Sequence, residues 1–345
     1  MRPSFCPRLV NGPFGDPGLY IPFGFQHRAI MFDLGDISAL SSKDILKISH
    51  IFVTHTHMDH FAGFDRLLRL MIGRAKKLCI YGPRGFLKNV EGKLAGYTWN
   101  LVNNYSDSLV LEIAEIHAHE VIRRQFPCLN QFKAREEPDI APFNGRLLDE
   151  SGLSINAAIL DHGIPCLGFT IEERFHINIR KNGLATLSLQ PGPWLQVFKK
   201  SVYDNLDAAT RIEAESTHKG QLTTFRLSEL IAHIAQITPG QKVSYVADAA
   251  YNVTNIKKIL SLVDHSDHLF IEAAFLDKHS DTARAKNHLT ARQAGSLAGR
   301  ARVKQITPFH FSPRYTECGQ LLEAEARQAY RDSFGAAVAP PARKT

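Results

Sequence analysis

The sequence predicts a layered α/β protein. Short apolar runs alternate with stretches of helical spacing along most of its 345 residues. Five of those runs end in residue types that bind metals or move protons. Residues 48–53 lead into Thr54-His55-Thr56-His57-Met58-Asp59-His60, and residues 155–160 into Asp161-His162-Gly163. Residues 243–247 end at Asp248, 269–271 at Glu272 and 305–309 at His310. In a layered α/β fold the ends of neighbouring strands line up along one edge and sites gather there. The pattern therefore predicts one composite site assembled from distant segments.

Each element has its own signal. Residues 11–18 are rich in turn formers and read as loop. Residues 27–35 read as a strand ending at Asp33, and 41–47 as a short helix before the histidine-rich run. Leu78-Cys79-Ile80-Tyr81 before Gly82-Pro83 is a buried strand entering a turn, and 109–116 is a further strand ending in His117-Ala118-His119. Residues 135–145, with Pro138, Pro142 and Gly145, are expected to be a surface loop. Ser228 is expected to cap a helix over 229–237 that Pro239-Gly240 stops. Residues 254–263, 290–300 and 317–331 have helical spacing, and the tail beyond Gly335, with Pro340 and Pro341, should fray. Residues 175–200 hold Arg180, Lys181, Lys199 and Lys200 without one Asp or Glu, which suggests a projecting basic arm.

Composition narrows the class. At 44% hydrophobic and 22% charged residues the chain is an ordinary globular protein long enough for a sizeable core. The odd count of five scattered cysteines fits free thiols in a reducing cytoplasm better than a disulfide framework. The first residues lack the apolar run of a secretion signal, and no stretch reaches the length of a membrane span. The net charge of +7 suits a polyanionic partner.

The seven residues 54–60 are the chemical centre. His55 and His57 alternate around Thr56, so in extended backbone both rings leave on one side. Asp59 and His60 follow at the turn into a helix. Neutral imidazole with carboxylate suits zinc, and manganese or iron as well. His117 and His119 are set aside as surface or core residues, and His27, His50, His218, His233, His265, His268 and His279 have no supporting context.

This run resembles the His-x-His-x-Asp-His signature of the metallo-β-lactamase superfamily. The rest of the chain, from about Phe32 to Tyr315, looks most like ribonuclease Z, the tRNA 3′-processing endonuclease. The resemblance implies a four-layer αβ/βα sandwich of two mixed β-sheets in a single domain over 1–345, with a basic arm inserted at about 174–220. It implies two Zn2+ ions sharing a bridging hydroxide: His55, His57 and His162 on one, Asp59, His60 and His310 on the other, and Asp248 between them. His310-Phe311-Ser312-Pro313-Arg314-Tyr315 is similar to the family's C-terminal motif, in which Ser312 and Arg314 would hold the scissile phosphate. Glu272-Ala273-Ala274-Phe275 and Asn287-His288-Leu289-Thr290 resemble its glutamate and histidine motifs, so that His288, oriented by Glu272, would protonate the leaving 3′ oxygen. Gly192 and Pro193, with Arg180, Lys181, Lys199 and Lys200, are similar to the element that grips the tRNA elbow.

The chain departs from that pattern in places. Ala249 and Ala274 stand where threonine is usual, Leu289 where a small or acidic residue is usual, and residues 9–18 replace a glycine-rich motif. The expected function is removal of the 3′ trailer of precursor tRNA by a cytoplasmic homodimer. The rival expectations are a hydrolase of a small phosphodiester or lactone on the same fold, and an RNA-binding relative that no longer cleaves.

Overall fold

The computed structural model describes residues 4–338 except 25, 107, 136 and 219, with side chains described as far as residue 334. Pro340 and Pro341 of the predicted tail lie outside the described residues. By internal contacts the chain divides into two compact units. The larger holds Phe5–Leu147, Asn156–Thr170 and the described residues from Lys242 onward; the smaller holds Ser4, Leu148–Ile155 and Ile171–Gln241.

In the larger unit the strands β1 (Arg8–Leu9), β2 (Leu19–Pro22), β3 (Ala29–Phe32), β4 (Ile48–Phe52), β5 (Lys76–Pro83), β6 (Leu109–Ile116), β7 (Glu120–Pro127) and β8 (Asp139–Pro142) form one mixed sheet in that order. The central strands β3 to β6 are parallel, with helices Ser42–Lys47, Phe64–Met71 and Phe86–Ala95 in the crossovers. Parallel pairing brings the C-terminal ends of these strands to one edge, which is where residues 54–60 emerge. The predicted loop over 135–145 instead contains β8, paired antiparallel with β7 at the sheet edge. Edge position explains the misreading: an outer strand tolerates the prolines and polar residues that argue against a central one.

A second sheet runs in the order β18-β17-β16-β11-β10-β9 among the described residues. It comprises β9 (Arg146–Asp149), β10 (Leu153–Asp161), β11 (Pro165–Glu173), β16 (Lys242–Val246), β17 (His268–Glu272) and β18 (Gln305–Phe309), with β16, β17 and β18 parallel. Within the larger unit the two sheets meet through aromatic rings. Phe32 of β3 stacks on Phe169 at 5.2 Å and faces Tyr245 at 5.8 Å, while Phe52 meets Phe169 edge-on at 5.7 Å. All four side chains are buried. Helices Val253–Val263 and Ala291–Arg300 fill the crossovers; Asn252 caps the first, and Thr290 with Gln293 forms a capping box on the second.

The smaller unit contains the stretch predicted at 174–220 and has its own core. Strand β12 (Phe175–Ile179) pairs antiparallel with β15 (Ala235–Pro239), and β13 (Arg211–Glu215) pairs with β14 (Leu222–Arg226). Helices Lys181–Thr186, Trp194–Tyr203 and Leu227–Ile234 complete it, burying Ile177, Leu184, Trp194, Phe198, Ile212 and Leu230 together. The helix expected over 229–237 is shorter than predicted. It begins at Leu227 with Arg226 rather than Ser228 at its cap, and ends at Ile234, where pairing with β12 takes over the backbone hydrogen bonds. At the base of the unit, buried Glu173 accepts hydrogen bonds from the Ser4 hydroxyl, from Tyr203 at 3.2 Å and from the Gln241 N–H at 3.4 Å; His176 Nδ1 lies 3.1 Å from it. The five cysteines are free.

Candidate metal centre

Each strand-end residue singled out in the sequence arrives at one place in the larger unit. Beyond β4 the chain bends at Thr54 and runs as loop to His57, which stands in extended backbone at the N-cap of the short helix Met58–Phe61. That geometry puts the His55 and His57 rings 4.4 Å apart and turns Asp59 and His60 toward a second group. His162 follows β10, Asp248 follows β16, Glu272 ends β17 and His310 follows β18.

Three clusters of potential ligand atoms result. One holds His55, His57, His162 and Asp248; another Asp59, His60 and His310; a third Asp248, Glu272, His288 and His310. In each, the atoms lie within 4.8 Å of one another. Asp248 is common ground. Its Oδ2 lies 3.6 Å from His55 Nε2, 3.5 Å from His60 Nε2 and 3.4 Å from His162 Nε2. Its Oδ1 approaches His310 Nδ1 at 2.8 Å, without the angles of a hydrogen bond. Asp59 Oδ2 lies 3.2 Å from His310 Nε2 and 3.6 Å from His60 Nε2.

Electrostatics make the demand for a cation explicit. Burial, aided by the neighbouring His60, depresses His55 to about 2 and so keeps it neutral. Burial and His162 lower His57 as well. Burial alone would also lower His60, but the Asp33 and Asp248 carboxylates outweigh it and raise that ring to about 10. For His310 burial is likewise overcome by Asp248 and Asp59. Burial would raise both aspartates; the His310 and His60 rings instead hold Asp59 at about 2 and Asp248 well below the carboxylate range. Even so, His55 Nε2, His60 Nε2, His310 Nδ1 and Asp248 Oδ1 are buried without a hydrogen bond. An unmet buried polar atom costs about 1–3 kcal/mol, and four converging here make a cradle that divalent cations fit. A cation in it would take the place of the protons on His60 and His310.

Around the clusters lies a shell the sequence did not reveal. His60 Nδ1 is held 2.9 Å from Asp33 Oδ2, which also accepts the Tyr245 hydroxyl at 2.9 Å. Thr54 donates its backbone N–H to Asp33 Oδ1 at 2.7 Å, and its hydroxyl sits 3.0 Å from His55 Nδ1. His162 Nδ1 lies 2.9 Å from the Asn287 carbonyl. Such partners fix the tautomer and direction of each ring. Three of these residues, Asp33, Asn287 and His310, have left-handed backbone at φ 57°, 57° and 58°. Asp33 directly follows the buried apolar strand Ala29–Phe32, the same apolar-run-then-carboxylate pattern as Asp248.

Beside the clusters, His288 Nδ1 lies 2.8 Å from Glu272 Oε2, whose other oxygen accepts the Ala249 N–H at 2.7 Å. Burial would lower His288, but the Glu272 charge raises it. The Ser312 N–H donates to Ala274 O, and exposed Arg314 stacks over the Phe275 ring at 5.9 Å with no carboxylate partner among the described residues. The arm residues Arg180, Lys181, Gly192, Pro193, Lys199 and Lys200 are not among these clusters; they belong to the smaller unit, where Lys200 pairs with Asp204 and Lys199 is half-buried. His176, which no sequence pattern singles out, is also there, against Glu173.

No protein-family model matches the chain. The solved structures it resembles give it the metallo-β-lactamase fold. A metallo-β-lactamase-fold protein of Bacillus subtilis matches with a TM-score of 0.54 at 13% identity, covering 94% of each chain. The short form of human tRNase Z matches at 0.50 and 17% identity, over 90% of this chain and 93% of that one. In sequence, the chain is similar to ribonuclease Z. It is 26% identical over 326 residues to the enzyme of Deinococcus radiodurans, covering 93% of this chain and 94% of that protein. It is 28% identical over 305 residues to that of Treponema pallidum, covering 86% and 82%. Among the described residues no helix is long and apolar enough to cross a membrane.

Proposed function

We propose that this chain is a zinc-dependent endoribonuclease that removes the 3′ trailer of precursor tRNA, cutting on the 3′ side of the discriminator region. The observation that carries the reading is the His288–Glu272 pair, 2.8 Å apart, beside clusters that share Asp248, in a chain similar to ribonuclease Z along nearly its whole length. His55, His57 and His162 would hold one ion, and Asp59, His60 and His310 the other, with Asp248 touching both. When bound, the pair would lower the pKa of water and draw charge from the phosphoryl oxygens.

The remaining steps fall to the chain's own side chains. Ser312 and Arg314 bind the scissile phosphate; the guanidinium fork grips two oxygens at once and Phe275 sets its plane. Glu272 keeps the proton on His288 Nδ1 and raises the ring's basicity, so that His288 can deliver a proton to the departing 3′ oxygen. Arg180 and Lys181, exposed at the start of helix Lys181–Thr186, would grip the body of the tRNA at a distance from the reacting bond.

The test is incubation with a 3′-extended tRNA precursor, with and without chelator, followed by mapping of both product ends. One cut beyond the discriminator, abolished by chelator, is expected; an intact precursor beside rapid hydrolysis of bis-p-nitrophenyl phosphate would refute the substrate. His288→Ala should lower kcat on the precursor by about 10²–10⁴ with metal content unchanged. The charge reversals Arg180→Glu and Lys181→Glu should raise KM for the precursor alone.

A further inference from the structure

Helix Phe86–Ala95 connects the metal loop to a groove that the proposed chemistry does not use. Near its start, Asn89 donates to the Thr56 hydroxyl at 2.7 Å, between the two ligands His55 and His57. At its other end, five to six residues and about 8–9 Å further along the axis, Leu94 and Ala95 form one wall of a groove of about 600 Å³ lined also by Tyr97, Trp99, Gln131 and Phe132. That volume is in the range of small-molecule sites.

The walls of this groove are aromatic. Trp99 meets Phe132 edge-on at 4.7 Å and Tyr97 at 5.7 Å, and Tyr97 is 47% exposed. The indole N–H of Trp99 is taken by the Leu94 carbonyl at 2.8 Å, so the ring offers the groove a surface for stacking rather than a donor. Gln131 and Phe132 both have left-handed backbone at φ 55°, a conformation that costs energy for a bulky residue and marks functional segments. Among the described residues the rim is polar, with Lys133 its one cation and Glu91 its one carboxylate, and the side chains of Asn100, Gln131 and Lys133 make no hydrogen bond or ion pair. Exposed Arg84 and Lys88 are likewise unpaired at the end nearer the metal loop, and Glu91, which lines the groove, faces Arg124 at 3.9 Å.

We propose that this groove stacks an unpaired nucleobase of the single-stranded RNA that runs from the metal centre, with Arg84, Lys88 and Lys133 following its phosphates. Aromatic platforms flanked by cations are how proteins hold single strands whatever their sequence, while free amides can meet a base edge. The inference deepens the reading of the chain as an RNA endonuclease, and assigns this subsite to the trailer.

The chain has two tryptophans, and Trp194 is buried in the smaller unit, so Trp194→Phe leaves Trp99 as the sole reporter. Hexaadenylate should quench Trp99 emission saturably with no metal present, with affinity reduced roughly tenfold in Lys133→Glu. In cleavage, Tyr97→Ala should raise KM roughly tenfold for a precursor with a six-nucleotide trailer, and leave a one-nucleotide trailer and bis-p-nitrophenyl phosphate unchanged. Saturable quenching without precursor cleavage keeps the groove and removes the tRNA reading. Cleavage without quenching, or an equal rise of KM for both trailers, overturns the groove proposal.

Discussion

Two buried polar clusters in this molecule solve opposite problems. In the smaller unit Glu173 accepts hydrogen bonds from Ser4, Tyr203 and Gln241, with His176 against it, so its charge is answered from within the chain. In the larger unit the cluster around Asp248 is just as buried, yet His55, His60, His310 and Asp248 each keep an atom with no hydrogen-bond partner. A network that closes on itself holds a fold together. One left open destabilises the folded chain until something from outside completes it.

The sharpest way to break this contrast is Asp248→Ala. Bound metal should fall below one ion per chain by elemental analysis, and hydrolysis should drop by on the order of 10³-fold or more. Wild-type protein should also lose stability on chelation, by about 4 kcal/mol if free metal had stood a thousandfold above its dissociation constant; the variant should not respond. A variant that still loads two ions would show Asp248 to be structural. Glu173→Ala should do the reverse. It should keep metal and cost about 1–3 kcal/mol in urea unfolding, because the Gln241 N–H loses its acceptor, and His176 and the Tyr203 hydroxyl keep only the Ser4 hydroxyl and the Phe175 carbonyl as partners.

A smaller effect concerns a titrating group apart from both clusters. Burial lowers His268, at the opposite end of β17 from Glu272, from 6.5 to about 4. Between those values the unfolded chain binds a proton that the folded chain refuses, so stability rises with pH across the window and is complete above 6.5. His268→Phe should flatten urea midpoints from pH 4 to 6.5 by up to one proton's worth, while lowering them at pH 8, where Thr307 loses a 2.7 Å partner. An unchanged acid slope would mean that His268 charges freely in the folded state.

The elements that bring these groups together were legible in the sequence because apolar runs ending in polar residues are local patterns. Residues 155–160, 243–247, 269–271 and 305–309 all became strands, and His162, Asp248, Glu272 and His310 came together. The support behind them was not legible. Asp33 lies 27 residues before His60 and 212 before Tyr245, and no spacing rule links such partners. In residues 174–220 the charge pattern was visible, but the core was not. Leu184, Trp194 and Phe198 follow no single period, and their burial depends on Ile212 and Leu230 from later elements. The strand Ala235–Pro239 has the local spacing of a helix end, and its pairing partner, β12, lies some sixty residues upstream.

The left-handed backbone at His310 has one more consequence. That conformation costs an L-residue about 1–2 kcal/mol, and glycine is the substitution that would relieve it. Glycine carries no imidazole. Selection for heat resistance in the absence of metal would therefore favour abandoning a proposed metal ligand, whereas bound ions, contributing more than that strain costs, would retain it, so any hardening of this protein for use has to be done with metal present.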